Sequence, residues 1–467
     1  MSSPKHIIII GAGPGGYVAA IRAAQLGAQV TVVEAQVVGG VCLNWGCIPS
    51  KTLLNLVDLG ERARHAAAWG LTFEGFIGFD LKRMMARKNE VVQSLVKGIA
   101  TLFKQWNIQH VVGRGELVSD RQVRVTDVEG GTSLFDAEAI VLATGSSWPQ
   151  LPQFPIDGEQ IISSKEALEL VNIPRNILIV GGGVEGCEFA CLFSGLGSQV
   201  TVVEMMPTLL PTEDEDTVAI LTREFKKRKV QMALNTTIQD WQATAEGIHA
   251  TLSSGQSVVA EKMLISVGRR MNSRGLGLEA VGVKTGSREE ILVDEHMETS
   301  LPGVYAIGDV TGKSMLAHVA SAQGKVAVSN AMGTTQSINY DVIPAGIFTL
   351  PEIGRVGLTE QQAKERGLKI SVGRFRYGGL GKAQAVGETA GQFKIIADEQ
   401  SKKIVGVHII GAHAADLIHE GALAMQGGLT VTDVGDMIHA HPTLSEGLME
   451  AAEDMEGLAI HQARKRS

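Results

Sequence analysis

Two cysteines stand five positions apart in Gly39-Gly40-Val41-Cys42-Leu43-Asn44-Trp45-Gly46-Cys47-Ile48-Pro49-Ser50-Lys51. Thiols at that spacing can close a short disulfide ring and exchange electrons with a substrate. Two structural uses compete: one half of a zinc site, or two unpaired buried thiols. No second pair at metal spacing accompanies them. Cys187 and Cys191 sit at i and i+4 within one helical stretch, where buried packing is the better reading. All four cysteines precede residue 192 of a 467-residue chain, too few for a disulfide scaffold at this length. Without a leader or a membrane span the chain reads as cytoplasmic, where a disulfide is more often catalytic than structural. Redox chemistry is therefore the leading expectation for Cys42 and Cys47.

The elements around that pair repeat. An apolar strand, residues 6–10, runs into Gly11-Ala12-Gly13-Pro14-Gly15-Gly16, then an Ala-rich helical stretch, then a strand from Gln29 that ends at Glu34. The layout returns as residues 177–180, Gly181-Gly182-Gly183-Val184-Glu185-Gly186, and a strand from Gln199 that ends at Glu204. First glycine and acid are 23 residues apart in both copies, and the copies are offset by 170 residues. Strand before, helix after and acid at the next strand's end turn a weak glycine motif into a specific one. The first glycine (Gly11, Gly181) allows the tight turn. The second (Gly13, Gly183) admits a pyrophosphate to the backbone, and the third (Gly16, Gly186) lets helix and strand pack closely. Free N–H groups at the helix start favour phosphate, and Glu34 and Glu204 are placed to accept from an adenosine ribose. The chain is expected to bind two dinucleotides.

Composition agrees with a soluble multidomain enzyme. There are 42 Lys+Arg against 50 Asp+Glu, a net charge of −8, so no global positive field invites nucleic acid. The run Lys226-Lys227-Arg228-Lys229 reads as a solvated helix end. No apolar run approaches the roughly 20 residues of a membrane helix, and Met1-Ser2-Ser3-Pro4-Lys5 leaves no room for a signal peptide ahead of the first strand. Residues 53–106 are helix-rich, 111–125 form short strands, and 139–143 form a buried strand leading to Thr144-Gly145-Ser146. Pro149, Pro152 and Pro155 mark a linker. Beyond about residue 344, alternating strands precede helices over 414–426 and 446–459. The fold class is α/β: two Rossmann-like dinucleotide-binding domains plus a C-terminal α+β domain. The expected division is 1–148, 149–270, 271–343 (returning to the first domain) and 344–467.

The chain resembles the flavoprotein disulfide reductases over essentially its whole length. The resemblance is carried by residues 39–51, by Val304-Tyr305-Ala306-Ile307-Gly308-Asp309, by Met315-Leu316-Ala317-His318, and by His439-Ala440-His441-Pro442-Thr443-Leu444-Ser445-Glu446. The last two match the lipoamide-specific branch. By that resemblance the first dinucleotide is FAD, held by Gly11, Gly13, Gly16, Glu34, Lys51, Gly115, Thr144, Gly145, Ser146, Asp309 and residues 315–318. The second is NAD, held by Gly181, Gly183, Gly186, Glu188, Glu204, Ile238 and Gly268. It implies that Cys42 attacks the lipoyl sulfur, that Cys47 lies beside the flavin, and that Lys51 pairs with Glu188 near the flavin's reactive edge. No metal is implied. An ordinary thiol, with pKa near 8.5, exchanges poorly at neutral pH without a base. His441, oriented by Glu446, is the base by resemblance. Thr443-Leu444-Ser445-Glu446 also reads as a capping box, the better reading on spacing alone. The resemblance further implies a homodimer, His441 serving the other subunit's cysteines, with a lipoyl carrier protein as partner. Leu417, Ile418, Leu423 and Met425 are expected to help bury the interface.

Glu204 is followed by Met205-Met206-Pro207 with no cation for a 2′-phosphate, which favours NAD over NADP. No cysteine follows Cys191, which excludes reductases with a second C-terminal redox pair. A non-catalytic flavoprotein would not need Cys42, Cys47, His441 and Glu446 together. Two positions depart from the family pattern: Glu185, where an apolar residue is usual, and Val319-Ala320-Ser321-Ala322-Gln323, where a lysine and acids often follow the histidine.

Overall fold

Ile7, Ile8 and Ile9 have no solvent-accessible surface, and Val30, Val32 and Val33 almost none, because a parallel strand with both faces covered must be apolar on every residue. In the computed structural model, which describes residues 4–72 and 75–463, His6–Ile10 is the central strand of a five-stranded sheet. Gln29–Glu34 and Ala139–Leu142 flank it, with Gln109–Val112 and Val304–Ala306 outermost, and every pairing is parallel. The outermost Val304–Ala306 comes from far along the chain, and the helix Ala317–Ala331 behind it packs on Pro14–Gln25. Residues 1–3, which bear on the leader argument, lie outside the described residues.

The second unit reproduces the first residue for residue. His6 pairs with Gln29 through to Ile10 with Val33, and Asn176 with Gln199 through to Val180 with Val203. Its sheet runs Gln231–Ala233, Gln199–Val203, Asn176–Val180, Lys262–Ile265, Ile161–Ile162, again all parallel. Cys187 and Cys191 on the helix Val184–Leu196 are fully buried in its core.

The C-terminal part is a five-stranded antiparallel sheet in the order Ala345–Ile347, Glu352–Gly357, Ile404–Gly411, Gln392–Asp398, Ile370–Arg376. The helix Ala414–Gly427 lies over Glu352–Gly357 and Ile404–Gly411, and Glu446–Asp454 lies over Gln392–Asp398 and Ile370–Arg376. The last helix is shorter than its sequence suggests: Gly457, at φ +71, ends it, with the Leu458 N–H closing back on the Glu453 carbonyl. The four apolar residues expected at an interface divide. Leu423 is 71% exposed, but Ile418 is buried in the chain's own core, and Leu417 and Met425 pack against that core. Helical period alone does not say which side of a helix meets its own sheet.

Ionic contacts lock these parts together. The basic run is not wholly solvated, because Arg228 makes a bidentate pair with Glu61 at 2.6 and 2.8 Å, tying the second unit to the helix Cys47–His65. Lys394 is deeply buried in the C-terminal sheet. Its Nζ lies 2.8 Å from Asp214 Oδ1, 2.7 Å from Asp216 Oδ2 and 2.9 Å from Glu360 Oε2. Asp214 is also the N-cap of the second unit's helix Glu215–Lys227. Among the described residues no helix is long and apolar enough to cross a membrane.

Candidate active site

The cysteine pair is presented by a helix break. Gly40–Trp45 ends at Gly46, whose φ −142 and ψ −111 are not helical, and Cys47–His65 starts afresh. Cys47 is thus the first residue of a 19-residue helix, where free amides and the helix dipole favour a thiolate. Cys42 and Cys47 are unbonded here, the reduced form of the expected redox pair. Cys42 donates a hydrogen bond to Cys47. That bond holds the Cys47 thiol below its ordinary pKa, with Lys51 helping. It pushes Cys42 up, and burial adds to the rise.

Lys51, one turn beyond Cys47, places Nζ 2.6 Å from Glu188 Oε2 and 4.8 Å from the centre of the Phe348 ring. Glu188 Oε1 accepts from the Phe348 N–H at 2.9 Å. The carboxylate therefore bridges the helix Val184–Leu196 to the C-terminal part and anchors the lysine between them.

A cavity of about 630 Å³ runs from Glu34 and Gln36 past Gly11 and Gly13 to Cys42 and Cys47. Gly115, Thr144, Gly145, Ser146, Asp309, Met315 and Ala317 line it too. Its form fits a flavin dinucleotide. Gly11 has φ +104, and a Cβ there would stand 2.3 Å from the Ala143 carbonyl oxygen. A Cβ on Gly16 would stand 1.9 Å from the Gly11 carbonyl oxygen, so only glycine lets the helix start this close to the strand. Glu34 accepts from the Ala12 and Gln36 N–H groups at 2.7 and 2.8 Å, which fixes its carboxylate at the cavity's end. Asp309 Oδ2 accepts from Ser146 Oγ at 2.5 Å. Leu316 and His318 are not in the cavity wall; His318 Nε2 instead meets the Pro344 carbonyl at 2.7 Å. Lys51 and Gly16 lie behind the wall.

The second glycine unit has the same local geometry. Glu204 accepts from the Gly182 and Met206 N–H groups at 2.6 and 2.7 Å, as Glu34 does one repeat earlier. A Cβ on Gly186 would stand 2.0 Å from the Gly181 carbonyl oxygen. Gly183 caps the helix Val184–Leu196 in extended conformation, and Gly268 turns the chain at φ +99 after Lys262–Ile265. Ile238 is less direct: it packs partly buried in the apolar cluster with Val203 and Leu252.

His441 Nδ1 lies 2.8 Å from Glu446 Oε1, while Glu446 Oε2 accepts from the Thr443 N–H at 2.8 Å. Glu446 thus orients His441, whereas the capping box does not form: the helix N-cap is Ser445, without a side-chain cap, and the Thr443 hydroxyl donates to the Ala440 carbonyl. Burial works to raise the Glu446 carboxyl, but the Thr443 N–H and His441 outweigh it and hold it below its usual range. The His441–Pro442 bond is cis. The imidazole is 74% exposed and takes no part in the wall around its own chain's cysteines.

Residues 5–324 match the profile of the pyridine nucleotide-disulphide oxidoreductases, and residues 343–452 match that family's dimerisation domain. The chain belongs to this family. Similar proteins include a dihydrolipoyl dehydrogenase of Thermus scotoductus, 41% identical over 97% of this chain and 98% of the relative. A leghemoglobin reductase of Vigna unguiculata is 39% identical over 97% of this chain and 87% of the relative. The crystal structure of LpdA from Mycobacterium tuberculosis superposes with a TM-score of 0.91 at 30% identity, covering 97% of this chain and 99% of that one. This oxidoreductase uses FAD and NAD and carries its redox centre on a cysteine pair. Its dimerisation domain makes it a homodimer.

Some contributors escaped the sequence reading. Arg269 donates to Ser146 Oγ and its carbonyl at 2.7 and 2.9 Å and lies 4.9 Å from the Trp148 ring centre. Asn272 exchanges hydrogen bonds with Thr144 at 2.8 and 3.0 Å. All lie in the flavin cavity's wall. No spacing rule finds them, because they sit at the crossover between the two nucleotide units. A second pair, His439 Nε2 and Glu420 Oε1 at 2.8 Å, braces the segment leading to His441.

Proposed function

We infer that this oxidoreductase is a dihydrolipoyl dehydrogenase. It oxidises the dihydrolipoyl group of a carrier protein through Cys42 and Cys47, and the electrons reach NAD⁺ by way of FAD. The observation that carries this reading is the division of labour at the cysteine pair. Both cysteines line the cavity, and the hydrogen bond between them lowers the Cys47 thiol and raises that of Cys42, so exchange at Cys42 calls for a base.

His441 supplies that base. Its Nδ1 is committed to Glu446, so Nε2 is the nitrogen that takes a proton from a thiol. The Glu446 carboxylate favours the imidazolium that forms, and the Thr443 N–H keeps the carboxylate in place. Because His441 is exposed and apart from its own chain's cysteines, the pair it serves belongs to the other subunit of the homodimer. In the thiol exchange, one lipoyl thiol attacks Cys42 of the Cys42–Cys47 disulfide and releases Cys47, the second lipoyl sulfur then attacks the first and releases Cys42, and His441 takes the protons of the attacking thiols and passes them on to the cysteines. The enzyme ends as dithiol and the lipoyl group as disulfide. FAD held in the cavity lined by Gly11, Gly13, Cys42 and Cys47 would supply the two-electron acceptor for that dithiol, and NAD⁺ on the second glycine unit the final one. Lys51, held by Glu188, supports negative charge at the flavin edge. The remaining FAD and NAD contacts are those of the glycine units and cavity wall described above, with Leu316, His318 and Ile238 acting through the elements they pack. The functional division is 1–148 with 271–343 for FAD, 149–270 for NAD and 344–467 for the interface.

The direct test is steady-state reduction of NAD⁺ by free dihydrolipoamide and by reduced lipoyl carrier proteins. Glu204 accepts two backbone N–H groups and has no arginine beside it, so NAD⁺ should outperform NADP⁺ by roughly 100-fold in kcat/KM, about 2.7 kcal/mol. Equal use of both coenzymes, or turnover of glutathione disulfide in place of the lipoyl group, would overturn the reading.

A further inference from the structure

Glu185 occupies a place that its repeat-mate leaves empty. The 170-residue offset sets it opposite Gly15, which lines the flavin cavity. Here a carboxylate stands instead, in the first turn of Val184–Leu196. Its Oε2 lies 3.4 Å from Ser266 Oγ, and it also hydrogen-bonds Ser164. Ser164 Oγ in turn accepts from Trp148 Nε1 at 2.8 Å, and Trp148 lies in the flavin cavity wall beneath Arg269. One turn further along the same helix, Glu188 holds Lys51 behind the cysteine pair. Glu185 therefore stands between the second glycine loop and the wall of the flavin cavity. For electrons to cross from one dinucleotide to the other, the pyridine ring has to enter this interval.

We propose that Glu185 discriminates between the two oxidation states of the pyridine nucleotide, favouring the cationic ring of NAD⁺ over the neutral ring of NADH. The proposal rests on the assignment of the second unit to NAD. The two coenzymes share the adenosine and the pyrophosphate, so contacts to those parts treat them alike. Only a charge near the ring can tell them apart. The other charged groups facing Glu185 are Arg269, Glu188 and, through Glu188, Lys51. Lys51 and Glu188 neutralise each other. Arg269 is drawn toward Ser146 by two hydrogen bonds, which leaves the Glu185 carboxyl as the group available to an incoming cation. Burial raises the Glu185 carboxyl, and Ser164 and Arg269 offset only part of the rise. A cationic ring beside it favours the carboxylate, so the proton passes to solvent as NAD⁺ binds. NAD⁺ affinity should then rise with pH through the titration of Glu185, and affinity for a neutral ring should not. The device speeds release of the reduced product without weakening capture of the oxidised substrate.

Calorimetry on the oxidised holoenzyme tests this without turnover. The ligands are NAD⁺ and its tetrahydronicotinamide analogue, whose ring is neutral and inert to oxidised flavin. The ratio of the analogue's Kd to that of NAD⁺ should increase with rising pH over the range in which the wild type stays folded. In Glu185→Gln it should be flat across that range and lower than wild type at high pH by roughly fivefold or more, the low end of ordinary site coupling. Glu185→Ala should behave like the glutamine variant. A ratio independent of pH in the wild type, or unchanged within about twofold in both variants, overturns the proposal while leaving the NAD assignment standing. Failure of both ligands to bind the wild type removes that assignment and the proposal with it.

Discussion

At the scale of single residues, the site works by giving two sulfurs different protons. Cys42 and Cys47 are chemically identical. The Cys42 hydrogen bond and the helix start lower Cys47 specifically, while Lys51 lowers both thiols. The expected consequence is a clean separation of cofactor binding from turnover. Cys47→Ser should retain the flavin, whose cavity is built mostly from other residues, and lose dihydrolipoamide oxidation. Flavin absorbance per subunit and NAD⁺ reduction measured on the same sample check it. Retention of more than about a tenth of wild-type turnover, a loss of only ~1.4 kcal/mol of barrier lowering, would mean the pair is not an obligatory relay.

At the scale of elements, the strands Ile370–Arg376 and Gln392–Asp398 carry two loads. One face supports the helix Glu446–Asp454, which presents Glu446. Side chains of the same strands, Arg374 and Lys394, hold Asp214, Asp216 and Glu360. Removing the buried cation leaves two aspartates and a glutamate facing one another. Lys394→Ala should therefore cost about 3–5 kcal/mol, the usual penalty for orphaning a buried charge, read as a lower midpoint in guanidinium unfolding. Lys394→Met should cost less if the thioether fills the space, but it leaves the buried Asp214 without its cation while Arg374 still pairs Asp216 and Glu360, and it should not reach wild-type stability. Acid pH probes the same cluster. Burial tends to raise Glu360, but Lys364, Lys394 and Arg374 hold its carboxyl down to about 2. A folded-state pKa below the unfolded value contributes stability that is present above the unfolded value and lost as pH falls toward the folded one. The stability gap between wild type and Glu360→Gln should accordingly be full above about pH 5 and close as pH drops from there toward 2. Urea midpoints across that range measure it, and a gap that widens on acidification would contradict the ion pairs.

At the scale of the whole molecule, the proposed function makes the dimer the active unit. His441 is exposed on its own subunit, while Cys42 and Cys47 lie at the inner end of the cavity. A Cys42→Ser chain and a His441→Ala chain should each be inactive as homodimers. Mixed dimers hold one site with both lesions and one with neither. After random re-association of equal amounts, about a quarter of wild-type activity should return. Size exclusion of differently tagged chains confirms exchange, and exchange without recovery would place cysteine and histidine in one chain.

Much of this was legible from order and spacing alone, for a physical reason in each case. The two nucleotide units could be read because a pyrophosphate needs glycine where backbone must approach, and that need writes itself into residue type at fixed intervals. Buried parallel strands likewise have to be apolar throughout, so residues 6–10 and 177–180 announce themselves. The cysteine pair and the His441-Pro442 segment are local, and local chemistry survives in a string of letters. What lies between distant segments does not. Arg269 against Trp148, Arg228 against Glu61, Lys394 among three acids, and Glu185 within reach of Ser164 and Ser266 pair residues with no sequence interval in common. Helical period predicted that Ile418 and Leu423 lie on an apolar helix, but only packing decided that the first faces its own sheet and the second faces outward. Sequence by itself determined which chemistry this protein carries. Tertiary structure decided which charges meet, because that follows from how separately folded units are pressed together, and no residue encodes its neighbour across such a seam.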